Sequence, residues 1–143
     1  MKIKLILASL LISMGISASA ISVTSTPGNL ASVVGENTEE QSLEVKGEIN
    51  AIDFGFIAEK MSALTTLDLS EATIVAYSGK PILLGRTNYP ADAIPAYALA
   101  GTKLQSIILP NGLQAIGEGA FSSTKLASIS IPESVKEIGM GAF

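Results

Sequence analysis

Carboxylates are the side chains here with the best claim to pairwise acid–base chemistry, because the sequence contains neither histidine nor cysteine. That absence removes Ser–His and Cys–His nucleophile pairs, thiolate chemistry and the usual zinc ligand sets. Glycoside hydrolysis needs two carboxyl groups about 5–10 Å apart across a cleft. Asp68 and Glu71 flank one expected strand end, and Glu118 and Glu137 fall in other turns. Nothing in their spacing places two of them around a cleft. Asp68-Leu69-Ser70-Glu71 lacks the dense oxygen-ligand spacing of a calcium loop and reads as a solvated corner. No G-x-x-x-x-G-K phosphate loop occurs, and Gly117-x-Gly119 lacks the strand–helix context of a dinucleotide fingerprint. The expectation is a protein that is not an enzyme and uses no cofactor and no metal.

Two surfaces carry binding chemistry instead. One is the outward face of an expected strand ladder: Thr66 and Asp68, then Ser106 and Ile108, then Ser128 and Ser130. Short hydroxyl side chains leave a flat, accessible sheet, although any exposed strand face has this look. The other is the stretch 77–93, with Tyr77, Arg86 and Tyr89. It holds every tyrosine but Tyr97, and the only arginine. Tyr and Arg are favoured at binding hot spots. Against that, Ile82-Leu83-Leu84 could fold back as extra core. Gly79, Pro81, Gly85 and Pro90 should break any regular element there.

The elements that must position these residues come from a repeat. Leu104–Phe121 reads LQSIILPNGLQAIGEGAF and Leu126–Phe143 reads LASISIPESVKEIGMGAF, at a constant offset of 22 residues. Leu104, Ile107, Leu109, Pro110, Ile116, Gly117, Gly119, Ala120 and Phe121 all find equivalents. Ile107 and Leu109 share a parity, so they share one face of a strand. Pro110 and Pro132 lack an N–H and should end it. Such a unit cannot bury its apolar face alone, and stacking neighbours would close a continuous core. Ile94–Lys103 already keeps step with Ile116–Lys125, and Leu64-x-x-Leu67-x-Leu69 shares the frame of 104–109. Strands are expected near residues 43, 67, 107 and 129.

These residues resemble the BspA-type leucine-rich repeat, with its pattern L-x-x-I-x-I-P…I-G-x-x-A-F. The resemblance is strong over 94–143, weaker over 43–75 and absent before that. It implies an α/β repeat solenoid: a short right-handed leucine-rich-repeat coil, β-dominated, with a parallel strand ladder, turns and short helices. It also implies a secreted or surface protein that binds an extracellular protein or another cell-surface macromolecule.

The two ends carry further expectations. Lys2 and Lys4 precede an apolar run from Leu5 to Ile16, and Ala18-Ser19-Ala20 has the small-x-small form of a cleavage site. Residues 1–20 therefore read as a secretory signal peptide cut after Ala20, and the membrane is met only transiently through it. A retained anchor would need about 20 apolar residues, and Ser13, Gly15 and Ser17 shorten the run. The formal charge of −4 becomes more negative once the two lysines leave, so nucleic acid and anionic lipid are excluded as partners. At the other end the repeat stops on Phe143 without a polar-faced cap. This predicts an N-terminal piece of a longer array, a truncated gene product, or self-association through the open C-terminal coil.

Between the ends, residues 21–42 read as an N-terminal lead-in and capping helix, with 43–143 as the repeat domain of about four coils. Ile21–Thr26 is expected to be flexible, Thr26-Pro27 to open a helix carrying Leu30, Val33 and Val34, and Gly35 to end it. Leu43-x-Val45 alternates as a strand that Gly47 should end, with Glu44 facing away. Asp53 should cap a helix carrying Phe54, Ile57 and Met61. Three functions stay open: an adhesion or recognition module, a structural spacer or N-terminal cap of a multidomain surface protein, and a carbohydrate-active enzyme.

Overall fold

The computed structural model describes residues 7–8, 11–13 and 16–143, with side chains from Ser19 onward. Lys2, Lys4 and part of the leader's apolar run lie outside the described residues. Among the described residues the chain is β-dominated, with two short helices. At its N-terminal side stand β1 (Leu7–Ala8), an antiparallel pair β2 (Leu11–Ser13) and β3 (Ile16–Ala18), and β4 (Ala20–Ser25). The helix α1 (Leu30–Val34) leads to β5 (Ser42–Ile49), and α2 (Ala51–Lys60) leads to β6 (Thr66–Asp68) and β7 (Ala72–Ile74). Next come β8 (Tyr77–Ile82), β9 (Arg86–Tyr89), β10 (Ala93–Ile94), β11 (Ser106–Ile108), β12 (Ala115–Ile116) and β13 (Glu137–Ile138).

Two parallel ladders result. The larger runs β4-β5-β6-β11, and the smaller β10-β12-β13. In the larger, Leu43 faces Leu67 and Leu67 faces Ile107 in register, so leucine-rich positions from successive turns meet in one core. Leu43, Val45, Leu67, Leu69, Ile107 and Leu109 are all buried there. The smaller ladder aligns Ile94, Ile116 and Ile138.

The 22-residue offset is written in the backbone hydrogen bonds. The N–H groups of Tyr97 and Leu99 donate to the carbonyls of Glu118 and Ala120; one repeat later, Gly119 and Phe121 donate to Met140 and Ala142. Gly117 to Ile94 recurs as Gly139 to Ile116, and Gln114 to Asp92 as Lys136 to Gln114. The expected step between 94–103 and 116–125 is therefore present.

Several expectations need correction. Ser128-Ile129-Ser130 forms no strand, and among the described residues β11 pairs with β6 alone. The register slips just before it: the Lys125 N–H bonds to the Leu104 carbonyl, where a 22-residue step would set Ala127 against Gln105. Two serines with weak strand preference do not recover it. Ile21–Ser25 is not a lead-in but part of β4, which pairs parallel with β5 over six positions. Thr26-Pro27-Gly28 forms a turn, closed by the Asn29 N–H on the Thr26 carbonyl, and the helix begins only at Leu30. Gly47 does not end β5. It sits there at φ 84, where the strand changes partner from β6 to β7, a turn of backbone that glycine takes without strain.

The cap of α2 is Asn50, with Asp53 at the third helical position of a capping box. Asp53 is 1% exposed, and its carboxylate accepts three backbone N–H bonds. Oδ2 takes Gly28 at 2.8 Å and Asn50 at 2.9 Å, and Oδ1 takes Leu30 at 2.9 Å. One side chain thus fastens the starts of both helices. Replacing it with alanine leaves three donors without acceptors, each costing about 1–3 kcal/mol when buried. Asp53→Ala should lose about 3 kcal/mol or more, seen as a lower urea midpoint with an unchanged slope.

Glycines of the repeat are set by space as much as by φ. A Cβ on Gly117 would stand 2.5 Å from the Ala96 nitrogen, and one on Gly139 2.3 Å from the Glu118 nitrogen. A Cβ on Gly112 would meet nothing within 4 Å. Gly117→Ala should therefore cost about 1–3 kcal/mol by forcing neighbouring turns apart, whereas Gly112→Ala should leave thermal unfolding unchanged or slightly raised.

Candidate interaction surface

Successive residues of a strand point to opposite faces, so the buried row Leu43, Leu67 and Ile107 dictates an outward row beside it. Ser42, Thr66 and Ser106 stand in register across β5, β6 and β11, and so do Glu44, Asp68 and Ile108. β4 extends both rows with Ala20 and Ser22. Thr66, Asp68, Ser106 and Ile108, expected to share a face, are brought together, and Ile108 is 51% exposed. Ser128 and Ser130 are exposed but stand outside the ladder.

Sequence reasoning missed Ser22, Ser42 and Lys46 as members of this face. The parity that turned Glu44 outward from Leu43 and Val45 would have found Ser42 and Lys46. Ser22 was hidden because its segment read as flexible. Lys46 lies 3.4 Å from Glu44 Oε1 and 3.2 Å from Glu71 Oε2. Hydrogen bonding to Glu71, then to Glu44, holds the ammonium above its ordinary pKa. Partly exposed pairs of this kind add little stability, so their effect here is on the face's charge. Asp68 accepts the Ser70 N–H at 2.9 Å, making the solvated corner a local turn.

The 77–93 stretch is more ordered than its glycines and prolines suggested. β8 and β9 form an antiparallel hairpin, with an irregularity between the Ser78 and Ile82 pairings. Its tip passes through Leu83, Leu84 and Gly85, all at positive φ. Tyr89 is 5% exposed, so it is not an open anchor. Its hydroxyl lies 2.8 Å from the Ile82 carbonyl oxygen and 3.0 Å from that of Arg86, which binds the turn to its own strand. Tyr77 packs against it, ring centroids 6.2 Å apart. Leu84 is exposed, while Leu83 packs on the core. Ile82 lies against Gly55 of α2, where a Cβ would come within 3.2 Å of it; the glycine that weakens the helix makes room for the hairpin.

Arg86 reaches away from the hairpin to Glu118, Nη2 to Oε2 at 3.1 Å. The Tyr97 hydroxyl donates to Glu118 Oε1 at 2.8 Å. Glu118 and Glu137 line one open hollow of about 620 Å³ between β9 and the β10-β12-β13 ladder. Nothing in their spacing along the chain had placed these two carboxylates at a common site. Glu118 is engaged with Arg86 and Tyr97, and Glu137 is exposed. Among the described residues no group of three or more Asp or Glu could hold a metal ion, and no helix is long and apolar enough to cross a membrane.

Backbone hydrogen bonds that recur after 22 residues, on parallel ladders with few helices, define the class: a repeat protein whose neighbouring turns share a core. Residues 91–143 match the family model described as BspA type Leucine rich repeat region (6 copies), so the resemblance read from the repeated residues holds over that stretch. No curated protein matches the chain. At the level of the family, leucine-rich repeats point to protein–protein interaction.

The Tyr97 phenol is held above its ordinary pKa, first by the hydrogen bond to Glu118, then by desolvation and the Glu118 charge, with Arg86 opposing. A raised pKa means the hydroxyl's contribution is complete below the unfolded tyrosine's value and is lost as pH rises through the folded one. Glu118→Gln should bring Tyr97's titration down toward the ordinary value near 10, followed by tyrosinate absorbance. An unmoved curve would show that Glu118 does not control it.

Proposed function

We propose that this chain is a secreted or cell-surface leucine-rich-repeat module, a short solenoid that recognises another macromolecule by surface contact and carries out no catalysis. Its role is adhesion or recognition, and its partner is a protein. The observation that carries this reading is the pair of in-register outward rows, Ser42-Thr66-Ser106 and Glu44-Asp68-Ile108. Strands about 4.8 Å apart present these short side chains as a level surface, and the exposed Ile108 adds an apolar contact beside the acids. Contact with a protein needs such a level area more than it needs a pocket. The leader of 1–20, read from its lysines, apolar run and small-x-small end, supports export.

The ladder face can be tested without knowing the natural partner. Peptides selected from a randomised library on the wild-type domain should lose about tenfold or more in affinity, ~1.4 kcal/mol, on Thr66→Arg/Ser106→Arg. They should bind Lys80→Ala, whose side chain is exposed on the hairpin, unchanged. Selected binders indifferent to the ladder substitutions would refute the assignment of this face.

A further inference from the structure

We infer that the outer edge of β4 is a self-association surface: once the leader is cut away, two copies of the chain join antiparallel through residues 21–25. The proposal shares with the function proposed above the removal of the leader, and it concerns the edge of the sheet, which meets the outward face only at Ser22 and Thr24.

β4 is held on one side by β5 over six positions. On its other side, among the described residues, Ile21 and Ser22 pair with Ala8 and Leu7 of β1, and that pairing is antiparallel. The edge therefore takes an antiparallel strand in this structure, and the strand it takes belongs to the segment read as a leader. Cleavage after Ala20 removes that cover and leaves a row of unpaired N–H and C=O groups. Proteins ordinarily protect such an edge with charge, proline or a bulge. Ile21-Ser22-Val23-Thr24-Ser25 has no charged side chain and no proline, its one charge being the new α-ammonium at the Ile21 end, and its regular register with β5 leaves no bulge. β5, one strand inward, carries Glu44, Lys46 and Glu48.

The occupant that fits is a second copy. Pairing two such strands antiparallel closes a twofold arrangement with nothing left over. Centred on Val23, it sets Val23 against its own copy, Ile21 against Ser25 and Ser22 against Thr24. Val23, only partly buried on the core side, is then covered. Ser22 and Thr24 meet on the outward face, where hydroxyl pairs are favourable across strands. No like charges face each other. The nearest acids, Glu44 of each copy, stand three strand spacings apart, about 14 Å, beyond the screening length of about 8 Å at physiological salt. One short strand pair buries less than a standard interface, so the dimer should be weak and concentration-dependent.

The experiment uses the secreted product, its N-terminus checked by mass spectrometry, in sedimentation equilibrium from about micromolar to millimolar concentration. The expected product begins at Ile21, and its mean mass climbs toward twice the monomer as concentration rises. Ser22→Lys/Thr24→Lys places lysines opposite each other twice and should be monomeric throughout; Ser22→Glu/Thr24→Glu should be monomeric for the same reason. Mixed together, the two variants should dimerise more tightly than wild type, which also shows that each has folded. Overturning results are a wild-type product that stays monomeric, a product that keeps its leader, lysine variants that dimerise like wild type, or a mixture that does not pair. Dimerisation lost only on changes in the ladder face, such as Thr66→Arg/Ser106→Arg, would move the contact to that face and sink the edge.

Discussion

Backbone from one turn of the repeat lies so close to backbone from the next that a single methyl group does not fit between them. Gly117 meets Ala96 in this way and Gly139 meets Glu118, at equivalent points of two repeats. The closeness is what lets the Gly117 and Gly139 N–H groups reach the Ile94 and Ile116 carbonyls. It also seats the small Ala98, Ala120 and Ala142 inside the stack, all buried. Gly119 adds a second demand: its φ is 60, and a Cβ there would strike the Tyr97 ring at 2.3 Å. The two glycines of the signature are thus fixed for different reasons, one by an approaching backbone and one by handedness and an approaching ring.

Because each turn touches chiefly its neighbours, stability in such a stack is a sum of neighbour terms, and an identical residue is buried only as far as the next turn covers it. Ile116 is 1% exposed and its equivalent Ile138 is 51% exposed. Phe121 is buried while Phe143, stacked on it with centroids 5.6 Å apart, is half exposed. Composition is the same at both positions, and the neighbour is what differs. Near the other end of the stack the apolar cover comes from α1 and α2, which place Leu30, Val34, Phe54 and Ile57 in the core. Asp53 holds these two helices to each other by their backbones, so a buried carboxylate does there what an adjoining turn does elsewhere.

Periodic features were legible from the residues, and features set by neighbours were not. The parity of Leu64-x-x-Leu67-x-Leu69 and the offset from Leu104 to Leu126 led directly to the register of β6 with β11 and of β10 with β12. Gly35 ends α1 as expected, and Phe54 and Ile57 share the buried face of α2, with Met61 buried just past its end. Residues 21–25 were misread because a strand of serines, threonine and isolated aliphatic residues carries almost the same local signal as a flexible segment; only the waiting edge of β5 distinguishes them. The 77–93 hairpin was misread for the opposite reason. Its glycines and prolines do break regular structure locally, but the Tyr89 hydroxyl gathers the carbonyls of the turn and restores it. Ser128–Ser130 failed as a strand although its pattern matched, since a strand exists only where a partner accepts its hydrogen bonds.

The candidate site shows the same division. Parity identified which side chains turn outward, so Thr66, Asp68, Ser106 and Ile108 could be grouped before any coordinates. Their order across the sheet followed from the frame that Leu64–Leu69 shares with Leu104–Leu109, although the insertion between β6 and β11 breaks the fixed repeat length there. Leu67 and Ile107 are 40 residues apart in the chain and yet occupy neighbouring positions in the ladder. The insertion leaves the ladder as a hairpin, packs on Gly55 and is held to Glu118 by Arg86. The flat face survives because the extra residues are taken up on other sides of the molecule. An insertion that instead lay across β6 and β11 would have covered Asp68 and Ser106. The position of the hairpin, more than the chemistry of its tyrosines, is therefore what keeps the outward rows open to a partner.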